Sequence, residues 1–195
     1  MILGIKKITP NILTALRLLA VPFTLLAILH DKLALAFGLF AFAAVTDYID
    51  GFLARLWGVE SRFGRIFDPI ADKTLLMGSY ITLAFTGHIP LWLMYLVVGR
   101  DILILLGGLL VYIFNLPVRL TPFFISKLNT FLQLLFVGLV LLFDMGIYQS
   151  VVPELYHPMM WILVYTTAFT TILSGLEYIW YFVQKNLRAV LRRES

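Results

Sequence analysis

Long apolar runs separated by short polar breaks make up most of the sequence. Six runs of about 20 residues cover roughly residues 11–29, 33–56, 66–86, 90–114, 124–145 and 158–182. A hydrocarbon core of ~30 Å needs about 20 helical residues at ~1.5 Å per residue. The pattern therefore predicts an all-α integral membrane protein with six transmembrane helices.

No feature of the sequence divides the chain into parts. It contains no internal repeat and no stretch of soluble-domain composition, so we expect residues 1–195 to form a single membrane domain. The first run carries Arg17 and lacks a small-residue cleavage site, which favours a span over a cleavable signal peptide. Residues 1–8 are too short for a domain, and an interfacial helix is one interpretation of them.

Basic residues are distributed unevenly among the connections. They precede the first run, surround the connections between runs 2 and 3 and between runs 4 and 5, and follow the sixth run, whereas the opposite connections contain only Lys32. Because Lys and Arg concentrate on the cytoplasmic side, both termini and these two connections are expected there, in a bacterial cytoplasmic membrane. The histidines fall on the other side, which argues against a catalytic histidine at a cytoplasmic site: His30, His88 and His157.

Composition excludes several other classes of protein. Apolar residues make up 61% of the chain and charged residues 13%, whereas soluble domains are ~25% charged. The absence of cysteine rules out disulfides, thiolate metal sites and cysteine nucleophiles. The 15 basic residues outnumber the 11 acidic ones, but topology and attraction to anionic lipids explain this excess. We therefore expect membrane lipid, and no nucleic acid, as a partner.

Four aspartates flank the connection between runs 2 and 3: Asp47, Asp50, Asp68 and Asp72. At ~100° per residue, each pair shares one helix face with small residues, which are Gly51 and Ala54 in the second helix and Gly64 in the third. Two antiparallel helices would bring the four carboxylates to one pocket. Since each charge near hydrocarbon costs ~2.5–3.5 kcal/mol on insertion scales, this convergence needs compensating charge.

Converging carboxylates repel one another unless cations lie between them. Mg²⁺ prefers oxygen ligands and commonly pairs carboxylates with substrate phosphates. Two metals ~3.5–4 Å apart can clamp the attacking and leaving oxygens of a phosphoryl displacement. Arg55, at the water boundary, suits a phosphate. The residues therefore predict a site for two divalent cations, Mg²⁺ or Mn²⁺, that acts on a phosphate-bearing substrate.

The spacing of these residues resembles the signature of the CDP-alcohol phosphatidyltransferase family, D-x2-D-G-x2-A-R-x8-G-x3-D-x3-D. The resemblance implies a six-helix, usually dimeric membrane enzyme whose active site opens to the cytoplasm. Such enzymes move a phosphatidyl group from CDP-diacylglycerol to an alcohol and release CMP. The resemblance implies metal binding by the four aspartates, with Asp72 also the general base. It implies nucleotide binding by the remaining signature positions: Gly51, Ala54, Arg55 and Gly64.

Weaker cues concern the acceptor alcohol. Gly99-Arg100-Asp101 and the stretch from Ile125 to Gln133 are most similar to CMP-forming cardiolipin synthases, whereas phosphatidylglycerophosphate synthases more often have Arg-Glu in place of Arg100-Asp101. The acceptor is thus expected to be phosphatidylglycerol, giving cardiolipin, or glycerol 3-phosphate, giving phosphatidylglycerophosphate. The residues considered for binding it are Arg100, Lys127 and Arg17.

Each of these residues also has a purely structural interpretation. Asp47 and Asp50 could form buried ion pairs with arginines, and Asp68 could cap a helix that starts at Pro69. Adjacent helical residues do not face each other, so Arg100 is expected to reach the pocket or to bond a neighbouring helix instead of pairing with Asp101. Lys127 could only extend towards the interface.

Two other functions compete with the leading one. A cation transporter could use the carboxylate cluster as its ion site, but transporters often contain repeats with broken helices, which this sequence lacks. A prenyltransferase also binds diphosphate through aspartates and Mg²⁺. The fixed spacing of Ala54-Arg55 and Gly64 argues against both.

Overall fold

The computed structural model describes residues 2–57, 62–113, 124–145 and 153–191. Within these ranges every regular element is an α-helix. The helices are α1 (Ile2–Leu29), α2 (Leu33–Trp57), α3 (Arg62–Phe85), α4 (Leu91–Ile113), α5 (Phe124–Phe143) and α6 (Pro153–Leu191). For the described residues the all-α class and six helices are confirmed, whereas the number of membrane spans stays a prediction.

The helix ends depart from the predicted runs in three places. Residues 2–8 are the first turns of α1, and their location at a membrane interface stays a prediction. α6 starts at Pro153, which suits a first helical position because the missing N–H would have no partner there, and it continues through Pro158. α3 starts at Arg62, six residues before Asp68. The cap interpretation of Asp68 is therefore wrong, because both Asp68 and Pro69 lie inside the helix.

In the part of the chain that the structure describes, three helices contain apolar stretches long enough to cross a membrane: Leu91–Val111, Phe124–Phe143 and Tyr156–Tyr181. Two shorter apolar stretches, Leu16–Leu29 and Leu33–Thr46, lie in α1 and α2. Large apolar side chains are exposed along several helices, for example Phe85, Phe124 and Trp180. Exposed apolar surface of this extent is typical of helices that face lipid.

The chain forms two compact units. Unit 1 contains Met1–Ile89 and Val137–Tyr156, which include α1, α2, α3 and the end of α5. Unit 2 contains Pro90–Phe136 and His157–Ser195, which include α4, most of α5 and most of α6. Within unit 1, α1 packs against both α2 and α3.

Two helices of unit 1 end in the same type of cap. After α1, Asp31 adopts a positive φ of 55°, and the Lys32 and Asp31 N–H groups donate to the carbonyls of Ala27 and Ile28. After α3, Gly87 has a φ of 85°, and the His88 and Gly87 N–H groups donate to Leu83 and Ala84. This is the Schellman arrangement, in which a left-handed residue satisfies the last carbonyls of a helix. Glycine adopts it without strain, whereas Asp31 does so with the tolerance particular to Asp and Asn.

Candidate active site

The four aspartates of the signature lie on α2 and α3 at matching distances from the connection between these helices. Asp47 lies ten residues before the end of α2, and Asp72 lies ten residues after the start of α3. At 1.5 Å per residue, both are about 15 Å from their helix ends. Asp50 and Asp68 lie about 10 Å and about 9 Å from the same ends. The helix bounds thus agree with the depths expected for a common site.

The structure describes only the backbone of these aspartates, and the same holds for the other signature positions: Gly51, Ala54, Arg55 and Gly64. Their backbone positions are helical, so the grouping of each set on one helix face follows from the 100° step. Among the described side chains, no group of three or more His, Asp or Glu residues is arranged so that it could hold a metal ion. Four carboxylates on two helices would supply the oxygen ligands that hard divalent cations prefer.

Arg17 is fully buried on α1, the helix that packs against both aspartate-bearing helices. It lies twelve residues before the end of α1, or about 18 Å from it. Asp47 lies fourteen residues, or about 21 Å, into α2. Since α1 and α2 are separated by only three residues, Arg17 and Asp47 are at nearly the same level in unit 1. This location agrees with an electrostatic role next to carboxylates.

Arg100 lies in unit 2, and its guanidinium binds groups of the protein. Its Nη1 donates to Asp101 Oδ1 at 2.7 Å, and its Nη2 donates to Ser126 Oγ at 2.6 Å and Ser174 Oγ at 2.5 Å. The bonds connect α4 to α5 and α6. The sequence-based expectation that Arg100 and Asp101 would not pair is wrong, because the long arginine side chain bends back along its helix. Bonding to neighbouring helices, one of the two expected alternatives, is confirmed.

Lys127 lies in the first turn of α5 and is exposed. The next turns of α5 bear a buried polar row that sequence analysis did not interpret structurally. Thr171 Oγ1 of α6 donates to Asn129 Oδ1 at 3.0 Å, and Gln133 Nε2 donates to Thr171 Oγ1 at 3.3 Å. All three side chains are buried. Polar residues three or four positions apart in an apolar run were the available signal, since they share one helix face.

A second group of ionisable residues lies at the α1–α2 and α3–α4 turns of unit 1. His88 Nδ1 donates to Asp144 Oδ2 at 2.8 Å, and its Nε2 lies 3.4 Å from Asp31 Oδ1. Tyr156 donates to the other Asp144 oxygen. The hydrogen bond that His88 donates to Asp144 is the main cause that raises the pKa of His88 above its usual value, although partial burial acts in the opposite direction. This group is about 20 Å from Asp47 along α2 and belongs to a different site.

Residues 7–173 match the family described as CDP-alcohol phosphatidyltransferase. Among similar proteins, the chain is 35% identical to a probable CMP-forming cardiolipin synthase of Drosophila melanogaster, with 87% of this chain and 56% of that protein covered. It is 34% identical to the CMP-forming cardiolipin synthase of Rattus norvegicus, with 88% and 60% covered. The chain thus spans a little over half the length of these two relatives.

A bacterial relative is covered almost completely. The CDP-diacylglycerol–glycerol-3-phosphate 3-phosphatidyltransferase of Rickettsia felis is 33% identical, with 89% of this chain and 94% of that protein covered. The names of these relatives thus include cardiolipin synthase and a phosphatidyltransferase that acts on glycerol 3-phosphate, which are the two activities that the sequence cues suggested.

Proposed function

Because the chain belongs to the CDP-alcohol phosphatidyltransferase family, we propose that it transfers a phosphatidyl group from CDP-diacylglycerol to a glycerol-based alcohol and releases CMP. The observation that supports this proposal is the eight-position signature from Asp47 to Asp72, whose aspartates lie at similar numbers of residues from the end of α2 and the start of α3. Relatives named CMP-forming cardiolipin synthase and CDP-diacylglycerol–glycerol-3-phosphate 3-phosphatidyltransferase support the reaction class.

Members of this family generally depend on divalent metal. We propose that Asp47, Asp50, Asp68 and Asp72 hold two such ions, Mg²⁺ or Mn²⁺. When bound, the ions supply positive charge that neutralises the phosphates of the substrate. The donor set supports this assignment, because four carboxylates brought to one pocket would repel one another without cations.

The protein residues have separate proposed roles in the transfer. Gly51, Ala54 and Gly64 leave room for the cytidine nucleotide, and Arg55 binds its phosphates. Asp72 accepts the proton of the acceptor hydroxyl as that oxygen attacks the phosphorus bearing diacylglycerol. A new P–O bond forms to the acceptor, the anhydride bond to CMP breaks, and CMP leaves with the bonding electrons.

Two positively charged side chains are proposed to interact with the anionic substrates. Arg17 supplies buried positive charge at the level of Asp47, and Lys127 binds the phosphate of the acceptor. Phosphatidylglycerol and glycerol 3-phosphate both carry such a phosphate, so these residues fit either acceptor. Arg100 is assigned a different role below.

We propose that the chain spans a membrane six times, with both termini and the active site on the cytoplasmic side of a bacterial membrane and with a homodimer as the working form. The basic residues at one set of connections support this orientation. The family assignment argues against the cation-transporter and prenyltransferase alternatives.

The test is release of CMP from CDP-diacylglycerol by the purified protein in detergent, with and without Mg²⁺ or Mn²⁺. Acceptors would be phosphatidylglycerol, glycerol 3-phosphate, inositol phosphate and serine, scored by lipid product. We expect metal-dependent product with one of the first two. Asp50→Asn should abolish turnover, whereas Asp31→Asn, in the turn between α1 and α2, should not. Equal activity of Asp50→Asn and the wild type at saturating metal would contradict the proposed site.

A further inference from the structure

We propose that Arg100 is a positioning residue: by binding Ser126 and Ser174 it fixes the start of α5, and with it the place from which Lys127 reaches the acceptor. This inference rests on the proposed function. The residues that carry it are called the Arg100 cluster, which consists of Arg100, Asp101, Ser126 and Ser174.

Most of the N–H donors of the Arg100 guanidinium already bind protein groups and are not free to bind a substrate phosphate. Its charge lies 2.7 Å from the Asp101 carboxylate, and both side chains are buried, with 4% and 1% of their surfaces exposed. Its Nη2 donates to two serine hydroxyls. Three of its five N–H groups donate in these bonds, and the two that remain, on Nε and Nη1, point from different edges of the guanidinium and do not form the two-donor fork that binds phosphates. Arg100 therefore serves as a connection within unit 2.

The cluster holds the beginning of α5 from two sides. Ser126 is the third residue of α5 and directly precedes Lys127. Through Arg100 it is tied to α4, and the same Nη2 ties it to Ser174 on α6. The Ser126 carbonyl also accepts a hydrogen bond from Thr130 Oγ1 at 3.1 Å. The first turn of α5 is thus fixed by side chains as well as by its own backbone.

The polar row extends this connection along the same face of α5. Ser126, Asn129 and Gln133 are separated by three and four residues, the spacing of one helix face. Asn129 and Gln133 both bind Thr171, which lies three residues before Ser174 on α6. Together these bonds prevent rotation of α5 about its own axis. The direction in which Lys127 leaves the helix is thereby fixed.

A fixed backbone position is particularly important for a lysine that binds a ligand. The four-carbon stem of lysine is flexible, so ordering it on a ligand costs conformational entropy. A first turn free to rotate would increase that cost, and the loss would appear as weaker binding of whatever Lys127 contacts. The Arg100 cluster is therefore expected to affect acceptor affinity and to leave the chemical step unchanged.

The first test measures KM and kcat by CMP release in the Ser126→Ala variant, which removes one bond of the cluster while keeping the buried ion pair. We expect the KM for the acceptor to rise about tenfold, the typical cost of a hydrogen bond to a charged group. The kcat and the KM for CDP-diacylglycerol should not change. Ser126→Thr, which keeps the hydroxyl, should restore the acceptor KM. Thr170→Ala, whose hydroxyl binds only carbonyls of α6 itself, is the matched control.

The second test repeats Ser126→Ala and Arg100→Lys in a Lys127→Gln background. If the cluster acts through Lys127, neither change should raise the acceptor KM further, because coupled residues are not additive. An effect of Arg100→Lys that persists in this background would make Arg100 a direct ligand and overturn the proposal. A lower melting temperature with an unchanged acceptor KM would also overturn it.

A third measurement does not depend on activity. Because the chain contains no cysteine, a spin label on Leu128→Cys, an exposed position next to Lys127, reports the order of the first turn. The label should become more mobile with Ser126→Ala and not with Thr170→Ala. Equal mobility in both would overturn the proposal. Absence of CMP release by the wild-type protein would instead contradict the proposed function, and the label would still test the cluster.

Discussion

Two ionisable side chains are each matched by a nearby carboxylate, but with different consequences. Arg100 and Asp101 are both buried in unit 2, so neither can lose its partner without leaving a charge isolated from water. In unit 1, His88 is partly buried between Asp144 and the 79%-exposed Asp31. The arginine pair is therefore a permanent connection, whereas the histidine group can respond to pH.

The His88 group predicts a pH-dependent stability. The pKa of His88 is raised in the folded protein, chiefly by its hydrogen bond to Asp144. The stabilisation is therefore fully present below the unfolded value of about 6.5 and is lost as pH rises through the higher folded value. His88→Gln should lower the melting temperature more at pH 5.5 than at pH 8.5.

The control for this prediction is His30→Gln, because the His30 ring binds a backbone carbonyl of its own helix, that of Leu26. The melting temperatures of His30→Gln at the two pH values measure the effect of replacing an imidazole outside the His88 group. The melting temperatures would be measured in detergent, by intrinsic fluorescence. A loss in His88→Gln that is equal at both pH values, or larger at pH 8.5, would contradict the assignment of the charged histidine as the stabilising form.

Substitutions of two of the four aspartates are predicted to impair different steps, one the chemical step and the other nucleotide binding. Asp72→Asn removes the proposed base, and a positioned base is typically worth ~10²–10⁴-fold. We therefore expect kcat to fall by at least about 100-fold while CDP-diacylglycerol binding largely survives. Asp47→Asn should instead weaken metal-dependent nucleotide binding. Single-turnover CMP release and CDP-diacylglycerol affinity would separate the two. If Asp72→Asn loses only affinity, Asp72 is a ligand and another group takes the proton.

At the scale of helices, apolar runs predicted the elements but not all of their ends. α2 matches its predicted run to within one residue. α1 and α6 extend well beyond theirs, to Ile2 and Leu191. The reason is physical: a run detects only the part of a helix that hydrocarbon would cover, whereas backbone hydrogen bonding continues into polar segments.

Contacts between helices were much less predictable than the helices themselves. The signature located the aspartates because its spacing is local to α2 and α3. The bond of His88 to Asp144 joins residues 56 apart, and that of Arg100 to Ser174 joins residues 74 apart. Pairings at such separations depend on how the helices pack, which periodicity within one helix does not determine.

The close approach of Gly78 on α3 to α1 gives a prediction about helix packing. A Cβ added at Gly78 would lie 2.8 Å from Leu25 Cδ1 of α1, whereas one at Gly38 of α2 meets no atom within 4 Å. Gly78→Leu should therefore force α1 and α3 apart and destabilise the protein by about 1–3 kcal/mol, the usual cost of overpacking. Gly38→Leu gives the same gain in helix propensity without the clash. Equal melting temperatures of the two variants would contradict close packing of α1 on α3.

At the scale of the whole molecule, the aspartate signature spans a connection that is also rich in basic residues. The connection between α2 and α3 is flanked by Arg55, Arg62 and Arg65, and the signature runs through it. The turn between α1 and α2 has Lys32 as its only Lys or Arg residue. The basic residues that flank the signature would attract the anionic head group of CDP-diacylglycerol.

This coincidence predicts the orientation of the protein in the membrane. Because the chain contains no cysteine, single variants at Ser61, in the α2–α3 connection, and at Lys32, an exposed residue of the α1–α2 turn, can be labelled without background. In intact cells a membrane-impermeant maleimide should react with Lys32→Cys and not with Ser61→Cys, because basic connections remain in the cytoplasm. Permeabilised cells should show labelling of both variants, which controls for accessibility. Labelling of Ser61→Cys from outside intact cells would place the signature on the external face and reverse the proposed topology.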